Sequence, residues 1–399
     1  MLNHKSAQAQ TAYITNSAGD NVTVIDVTSE SVIATIPVGS FPTGICVSPD
    51  GTKVYVANRD DNSLSVINTA TNTVATTIAV GYIPIGVVVT PDNSKIYVAC
   101  IGEDKVKVID ATTNIVSAII PVNASPMGID VSPDGSKIYV SCRGDDVVNV
   151  ISTVANQVID TISVGSHPGS IMVNPNGNKA YVACGLTGLS PVSYSIIDLI
   201  SDSLIATIPV ASSPGQITSN SDGTIIYMTL YNLDSIYAIN DSTQAIIASM
   251  YGGNGTYGMQ VTPDGTKIYA VNFFSSSVSI ISTATNTIVN TVPCSPSGEP
   301  NPGGRFISSY TYTGLNESPN NLSISVFPNP SQNGLFTFQS ALPFACVDVV
   351  DVLGQNVVHQ SVNSTSLTTV DLSKQKKGVY FWTVMDEKGG RMLGKILME

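Results

Sequence analysis

Short apolar runs and short polar breaks alternate along most of the chain. The stretch "SPDGTKVYVAN" (48–58) shows the pattern. It returns as "TPDNSKIYVAC" from Thr90, "SPDGSKIYVSC" from Ser132, "NPNGNKAYVAC" from Asn174, "SDGTIIYMTL" from Ser221 and "TPDGTKIYAVN" from Thr262. The tyrosines that mark the register are Tyr13, Tyr55, Tyr97, Tyr139, Tyr181, Tyr227 and Tyr269, spaced by 42, 42, 42, 42, 46 and 42 residues. One unit parses into four strands: a (44–48), b (53–58), c (63–69) and d (73–80). Turns at "PDG" (49–51) and "ATN" (70–72) join a to b and c to d. Pro fixes φ and Gly accepts positive φ in such turns. Val, Ile, Thr and Tyr fill the strands, as pleated surfaces prefer. The runs are apolar on both faces, which predicts sheets covered on both sides. No segment carries a helical period.

A period near 40–45 with four short strands per unit predicts a β-propeller. The chain opens on a b strand (11–16), followed by c (22–27) and d (31–38), with no strand a of its own. "GGRFISSYT" (303–311) stands where the missing strand belongs, and is expected to pair with 11–38 and close the ring. That removes the open sheet edge. The expected fold class is all-β: a seven-bladed propeller of four-stranded blades over 11–311, a linker over 312–321, and a small β-sandwich over 322–399. Residues 1–10 are expected to be a signal-peptide remnant or a disordered terminus. Ala7-Gln8-Ala9 fits a signal-peptidase site, but no apolar stretch precedes it.

The repeats "YITN", "YVAN", "YVAC" and "YVSC", with "PDG" before and "VID" or "VIN" after, resemble YVTN-type β-propeller repeats over roughly 11–311. That family spans surface-layer proteins and secreted binding modules, with a looser kinship to lactonases. The resemblance therefore implies a fold more than a function. After "NESPNN" (316–321) the composition changes. "VFPNPSQNG" (326–334), "VDVLGQNV" (350–357), "VDLSKQKKGVYF" (370–381) and "GKILM" (394–398) resemble the type A C-terminal sorting domain of the type nine secretion system of Bacteroidetes. The resemblance implies passage through the periplasm and across the outer membrane, with the secretion machinery as partner of 322–399. The cargo would end outside the cell or on its surface.

Charge narrows the partners. The net charge is −12, all of it in residues 1–317, while 318–399 is neutral. An acidic body without a basic stripe argues against nucleic acid and anionic membranes. No apolar run reaches the roughly 20 residues of a membrane span. Three histidines and six cysteines without a CxxC exclude a multi-imidazole site and a zinc ribbon. No metal site and no cofactor are expected.

The topology places PDG and TATN turns on one face, nearly identical from repeat to repeat. The b–c and d–a loops share the other face and vary, as binding loops on a rigid scaffold do. Phe41, Tyr82, His167 and Tyr257 are expected just before strand a, near the axis. Arg59, Asp60, Asp61, Glu103, Asp104, Arg143, Asp145 and Asp146 fall in b–c loops, and Tyr231, Phe273 and Phe274 form an aromatic side. The candidate ligand-binding set is Phe41, Tyr82, His167, Tyr257, Arg59, Arg143, Asp145, Tyr231, Phe273 and Phe274. Aromatics beside carboxylates suit sugar recognition, so a glycan or a protein partner is expected there. Ca²⁺ would want several of those oxygens, but no DxDxDG-like loop exists. The four extra residues of the long repeat fall in 185–193, where they would form a lip over the channel mouth.

Cys100, Cys142 and Cys184 occupy one position in successive repeats, about 9 Å apart in a seven-fold ring and too far for a disulfide. Cys46, Cys294 and Cys346 read as isolated core positions. No Gly-x-Ser-x-Gly elbow is present, and only Glu103 among the glutamates sits on the variable face. Three functions follow, in this order. The first is a secreted or cell-surface binding or adhesion propeller without catalysis. The second is a lactonase- or lyase-type enzyme at the channel mouth, with His167 and Asp130 as acid and base. The third is a structural surface-layer component.

Overall fold

The computed structural model of the protein describes residues 10–185, 191–294, 300, 303–308, 324–327, 331–351, 356–385 and 391–398. The chain divides into two compact units, one spanning Ala9–Thr311 and the other taking in Tyr312–Glu399.

Among its described residues the larger unit carries seven antiparallel sheets in chain order. The third is representative. Pro84–Val89, Lys95–Cys100, Lys105–Asp110 and Ile115–Pro121 pair in sequence, with Tyr97 opposite both Val88 and Val108. Middle strands are buried along nearly their whole length, while outer strands such as Ile115–Pro121 alternate between exposed and half-buried positions. This is what face-to-face stacking of sheets requires: both faces of the inner strands are covered and only the outermost strand meets solvent. Every outer pairing carries a one-residue bulge at the same place, as between Val108 and Ile109, which tightens the twist.

The recurring "K-x-Y" has a clear job. Lys95 Nζ donates to Thr153 O (2.6 Å) and the Tyr97 hydroxyl to Asn156 Oδ1 (3.1 Å), both in the c–d turn of the next sheet. Lys179 and Tyr181 reach Asp241 of the sixth sheet in the same way, at 3.0 and 2.5 Å. Lys267 pairs with Glu30, so the seventh sheet staples to the first and the ring closes. One apolar cluster joins them: Tyr269, Val271 and Ile280 with Tyr13, Ile14 and Val24, continuing to Ile45 and Val56 of the second sheet.

Closure differs in detail from the expected strand 303–311. Gly303–Arg305 lies parallel to Pro42–Val47 of the second sheet. Only then does the chain reach the first sheet: Tyr13 N donates to Phe306 O (2.8 Å), Ser308 N to Thr11 O (2.9 Å), and Ala12 opposes Ile307. Gly304 permits the parallel approach, since a Cβ there would stand 2.4 Å from Ile45 O. Gly44 lets the second sheet come close to the third, where a Cβ would stand 2.0 Å from Ile85 O.

In the smaller unit Leu335–Val350 pairs with Ile324–Phe327 over its first half and with Gly378–Met385 over its second. Asn356–Asp371 flanks it, and Arg391–Met398 extends the far side. Register shifts between Gln339 and Cys346 bend the long strand, so Phe336 and Phe338 meet Val347, Val349 and Trp382 in one core.

Candidate functional site

The first residues of the innermost strands surround an axial cavity of about 240 Å³ on the variable face. Its wall is largely backbone and small side chains (Gly86, Gly128, Gly169, Gly215), with Ile85, Met127 and Ile171 between them. Phe41, Arg59 and Tyr257 form its upper part, and Thr43, Ser170 and Gln216 are its polar groups. A second cavity of about 470 Å³ opens on the PDG face, ringed by Pro49, Pro91, Pro133, Pro175 and Pro263. Val87, Ile129, Ile171, Gln216 and Gly304 line both, so the two are halves of one channel.

Aromatic side chains run from the upper cavity to solvent. Tyr257 meets Tyr231 edge-on with ring centroids 6.1 Å apart. Tyr231 meets Phe274 at 5.9 Å, and Phe274 meets Phe273 at 5.5 Å. Phe274 is 63% exposed. Tyr257 sits inside the strand Thr256–Val261, not before it as expected, and Tyr82 stands two residues ahead of Pro84–Val89 with its ring outward. Arg59 lies over the Phe41 ring, 4.8 Å from its centroid. Its nearest carboxylate is Asp60 at 3.7 Å, a half-exposed pair of little energetic weight. Burial raises the Tyr257 phenol above its usual pKa, and the positive charge of Arg143 pulls the other way. Arg143 follows the Lys137–Cys142 strand of the fourth sheet, and Tyr257 lies in the seventh.

The carboxylates of this face are occupied by the scaffold. Asp145 accepts Ala124 N (2.8 Å) and Asn123 Nδ2 (2.9 Å), Asp61 accepts Ser40 N (2.6 Å), and Glu103 accepts Tyr82 N (2.8 Å). Lys107, 2.8 Å away, is the main reason the Glu103 carboxyl sits below its usual range. One residue further on, Asp20, Asp104, Asp146 and Asp234 accept the backbone N–H of Phe41, Ser125, His167 and Gly255 at 2.6–2.9 Å. Phe41, Ser125, His167 and Gly255 all have positive φ, so each carboxylate holds a left-handed residue in place. The sequence reading missed this role. The clue was present: these acids recur at the repeat period, as scaffold residues do, whereas the aromatic cluster does not. Among the described residues no group of three or more His, Cys, Asp or Glu could hold a metal.

His167 and Asp130 are not brought together. Asp130 lines only the lower cavity, and His167 lines neither. Asp130 is committed elsewhere: Arg305 Nη2 donates to its Oδ1 at 2.8 Å, and its Oδ2 accepts Val173 N at 2.8 Å. Half of the Arg305 side chain is accessible, and it lines the lower cavity. The expected lip over 185–193 lies mostly outside the described residues. All six cysteines are free and buried. Burial pushes the thiols of Cys100 and Cys142 up to about 12. At the equivalent position Asn58 Nδ2 donates to Ser63 and Ser65 Oγ, 2.9 Å each. Cys184 faces the same pair of residue types, Ser193 and Ser195, with its Sγ 3.8 Å from Ser195 Oγ.

The fold is shared with several solved structures. The chain is similar to hydrazine synthase of Kuenenia stuttgartiensis at 23% identity and TM-score 0.63, over 68% of this chain and 92% of that one. A functionally unknown protein of Desulfotomaculum acetoxidans matches at 18% and 0.65, over 75% and 99%. A putative 6-phosphogluconolactonase of Bacteroides uniformis matches at 16% and 0.61, over 73% and 98%. These likenesses show a β-propeller fold. None of the curated proteins matches the chain. Among the described residues no helix is long and apolar enough to cross a membrane. The model of the secretion system C-terminal sorting domain matches residues 325–399. That segment is a type IX sorting domain, and it exports this propeller to the cell surface or the space beyond it.

Proposed function

We propose that this chain is an exported binding or adhesion module of the YVTN type, without catalysis, whose ligand sits at the variable-face mouth of the channel. The observation that carries the reading is the row of rings from Tyr257 through Tyr231 to the exposed Phe274. Aromatic faces at a concave mouth give a ligand apolar contact with little entropy to lose. The partner is a glycan, with a protein as the alternative, met outside the cell. A catalytic reading has less support, since the Asp130 carboxylate is held by Arg305 and by backbone N–H groups. A glycan array probed with the full chain, with and without Ca²⁺, tests the proposal. The expected result is a reproducible set of hits lost in the Phe273→Ala/Phe274→Ala double variant. A clean negative, or hits that survive the double variant, overturns it.

A further inference from the structure

The lysine of the "K-x-Y" motif ties one sheet to the next on the PDG side. Lys53 Nζ donates to Ala111 O (2.9 Å), Lys95 to Thr153 O (2.6 Å) and Lys179 to Asp241 Oδ2 (3.0 Å). Lys137 pairs with Asp202 and Lys267 with Glu30. Two positions break the series. Thr11 stands there in the first sheet, but the closing segment bonds both the first sheet and the second and holds that seam itself. Ile225 stands there in the sixth, and an alkyl side chain donates nothing. The far side is nonetheless equipped to accept. Thr283 and Asn286 of the seventh sheet hold the places that Thr153 and Asn156 hold for Lys95, and Asn286 has the same left-handed φ. Among the described residues, the seam between the sixth and seventh sheets is therefore the one with neither a lysine tie nor the closing segment.

Three polar ties of this seam lie at the inner strands and the variable face. Gln216 Oε1 accepts Met259 N at 2.7 Å, Thr229 Oγ1 donates to Tyr257 O at 2.9 Å, and Asp234 Oδ1 accepts Gly255 N at 2.7 Å. Between the two sheets lies an apolar cluster with Met250 from the sixth and Met259 from the seventh. Unbranched thioethers repack readily, so such an interface gives without emptying. The aromatic row crosses the same seam. Tyr231 follows the second strand of the sixth sheet, whereas Tyr257, Phe273 and Phe274 belong to the seventh. Movement between the sheets therefore changes the spacing of Tyr231 from Tyr257 and Phe274.

Resting on the reading that the row is a ligand seat, we infer that this seam is the yielding joint of the ring and that a ligand on the row closes it. The joint opens on the PDG side, where the lysine tie is missing, and pivots on the bonds near the mouth. A ligand touching rings of both sheets favours the closed seam, because only there does the row keep its spacing. Linkage makes the effect mutual: whatever tightens the seam strengthens binding.

Methionines report the joint without any ligand. Met250 and Met259 lie in the untied seam, and Met172 and Met228 in the cluster between the fifth and sixth sheets, which Lys179 ties. Met259 is fully buried and Met172 is 8% exposed, so burial alone would have Met172 react first. The full chain is treated with dilute peroxide and its peptides are weighed by mass spectrometry. Met250 and Met259 are expected to oxidise about fivefold faster than the other pair, the population shift made by one net hydrogen bond. Ile225→Lys should slow Met250 and Met259 and leave Met172 and Met228 alone. Lys179→Ile, which copies the sixth repeat into the fifth, should speed Met172 and Met228 and guards against a fold defect in the first variant. Equal rates at all four sites, or rates in the order of exposure, overturn the joint. So does a folded Ile225→Lys chain that oxidises like the parent. On the glycan array, Ile225→Lys is expected to bind the same glycans with a several-fold stronger signal. An unchanged or weaker signal overturns the coupling of seat to seam and leaves the joint standing. A blank array with both chains overturns the ligand reading, while the methionine rates still decide the joint.

Discussion

Arg305 and Asp130 stand 175 residues apart in the chain and 2.8 Å apart in the fold. The pair ties the closing strand to the fourth sheet across the channel. Removing one partner of a buried pair costs about 3–5 kcal/mol, and here Asp130 keeps its backbone donors and Arg305 is half accessible, so Arg305→Met is expected to cost about 2 kcal/mol. Urea unfolding of the full chain checks this. Asp130→Leu added to Arg305→Met should recover part of the loss, since no charge is then left unpaired. A single variant as stable as the parent would show that the pair does not hold the ring. Neither partner could be matched to the other from the sequence, because contact across a closed channel leaves no periodic trace. The loop acids were legible in principle, as Asp20, Asp104 and Asp146 fall at whole multiples of the 42-residue repeat, with Asn62 at the position between the first two. Read blade by blade they look like ligand groups. Read down the repeat they are scaffold.

At the scale of the element, the a–b hairpin shows why one motif recurs. In the fourth sheet Asp134 accepts the Ser132 hydroxyl, Ser136 N at 3.0 Å and the Ser136 hydroxyl, and Gly135 takes φ of 72°. The third sheet repeats the arrangement around Asp92 with Thr90 and Ser94. The hydroxyl of Ser132 or Thr90 is the main cause of a carboxyl pKa below the usual range, followed by the backbone N–H and side chain of the residue two further on. The unfolded chain therefore takes up protons before the folded one as the pH falls. The stability contributed by these turns is complete above about pH 5, declines as the pH drops through 4, and is lost once the folded carboxyls are protonated. Urea midpoints measured from pH 7 to 3 should be flat and then fall, with a shallower fall in Asp134→Asn. A fall that begins near neutrality would point to other groups. Hairpins, strands and period were readable because each rests on neighbours in sequence. The exchange of partners by 303–308 was not, since it depends on how closely glycines let two strands approach.

The whole molecule joins a repeat-built ring to a sorting domain with its own core. Deleting residues 325–399 should leave the propeller inside the cell envelope, and fractionation of cells carrying the shortened chain checks it. Delivery to the medium without the tail would contradict the assignment of export to that segment.

Five of the seven sheets are made wholly from contiguous sequence, each strand pairing with the one before it, and the second has four such strands before Gly303–Arg305 joins it. The first is incomplete: Thr11–Asn16 waits for a partner almost three hundred residues away. During synthesis or export, six sheets can form as they emerge while one inner edge stays bare until the last segment arrives. Closing so long a loop is the slow event of such topologies, and a bare strand edge invites pairing with another chain. The vulnerable species of this protein is thus the nearly finished one, short of its final residues, whose safest remedy is to be kept unfolded until the ring can be completed.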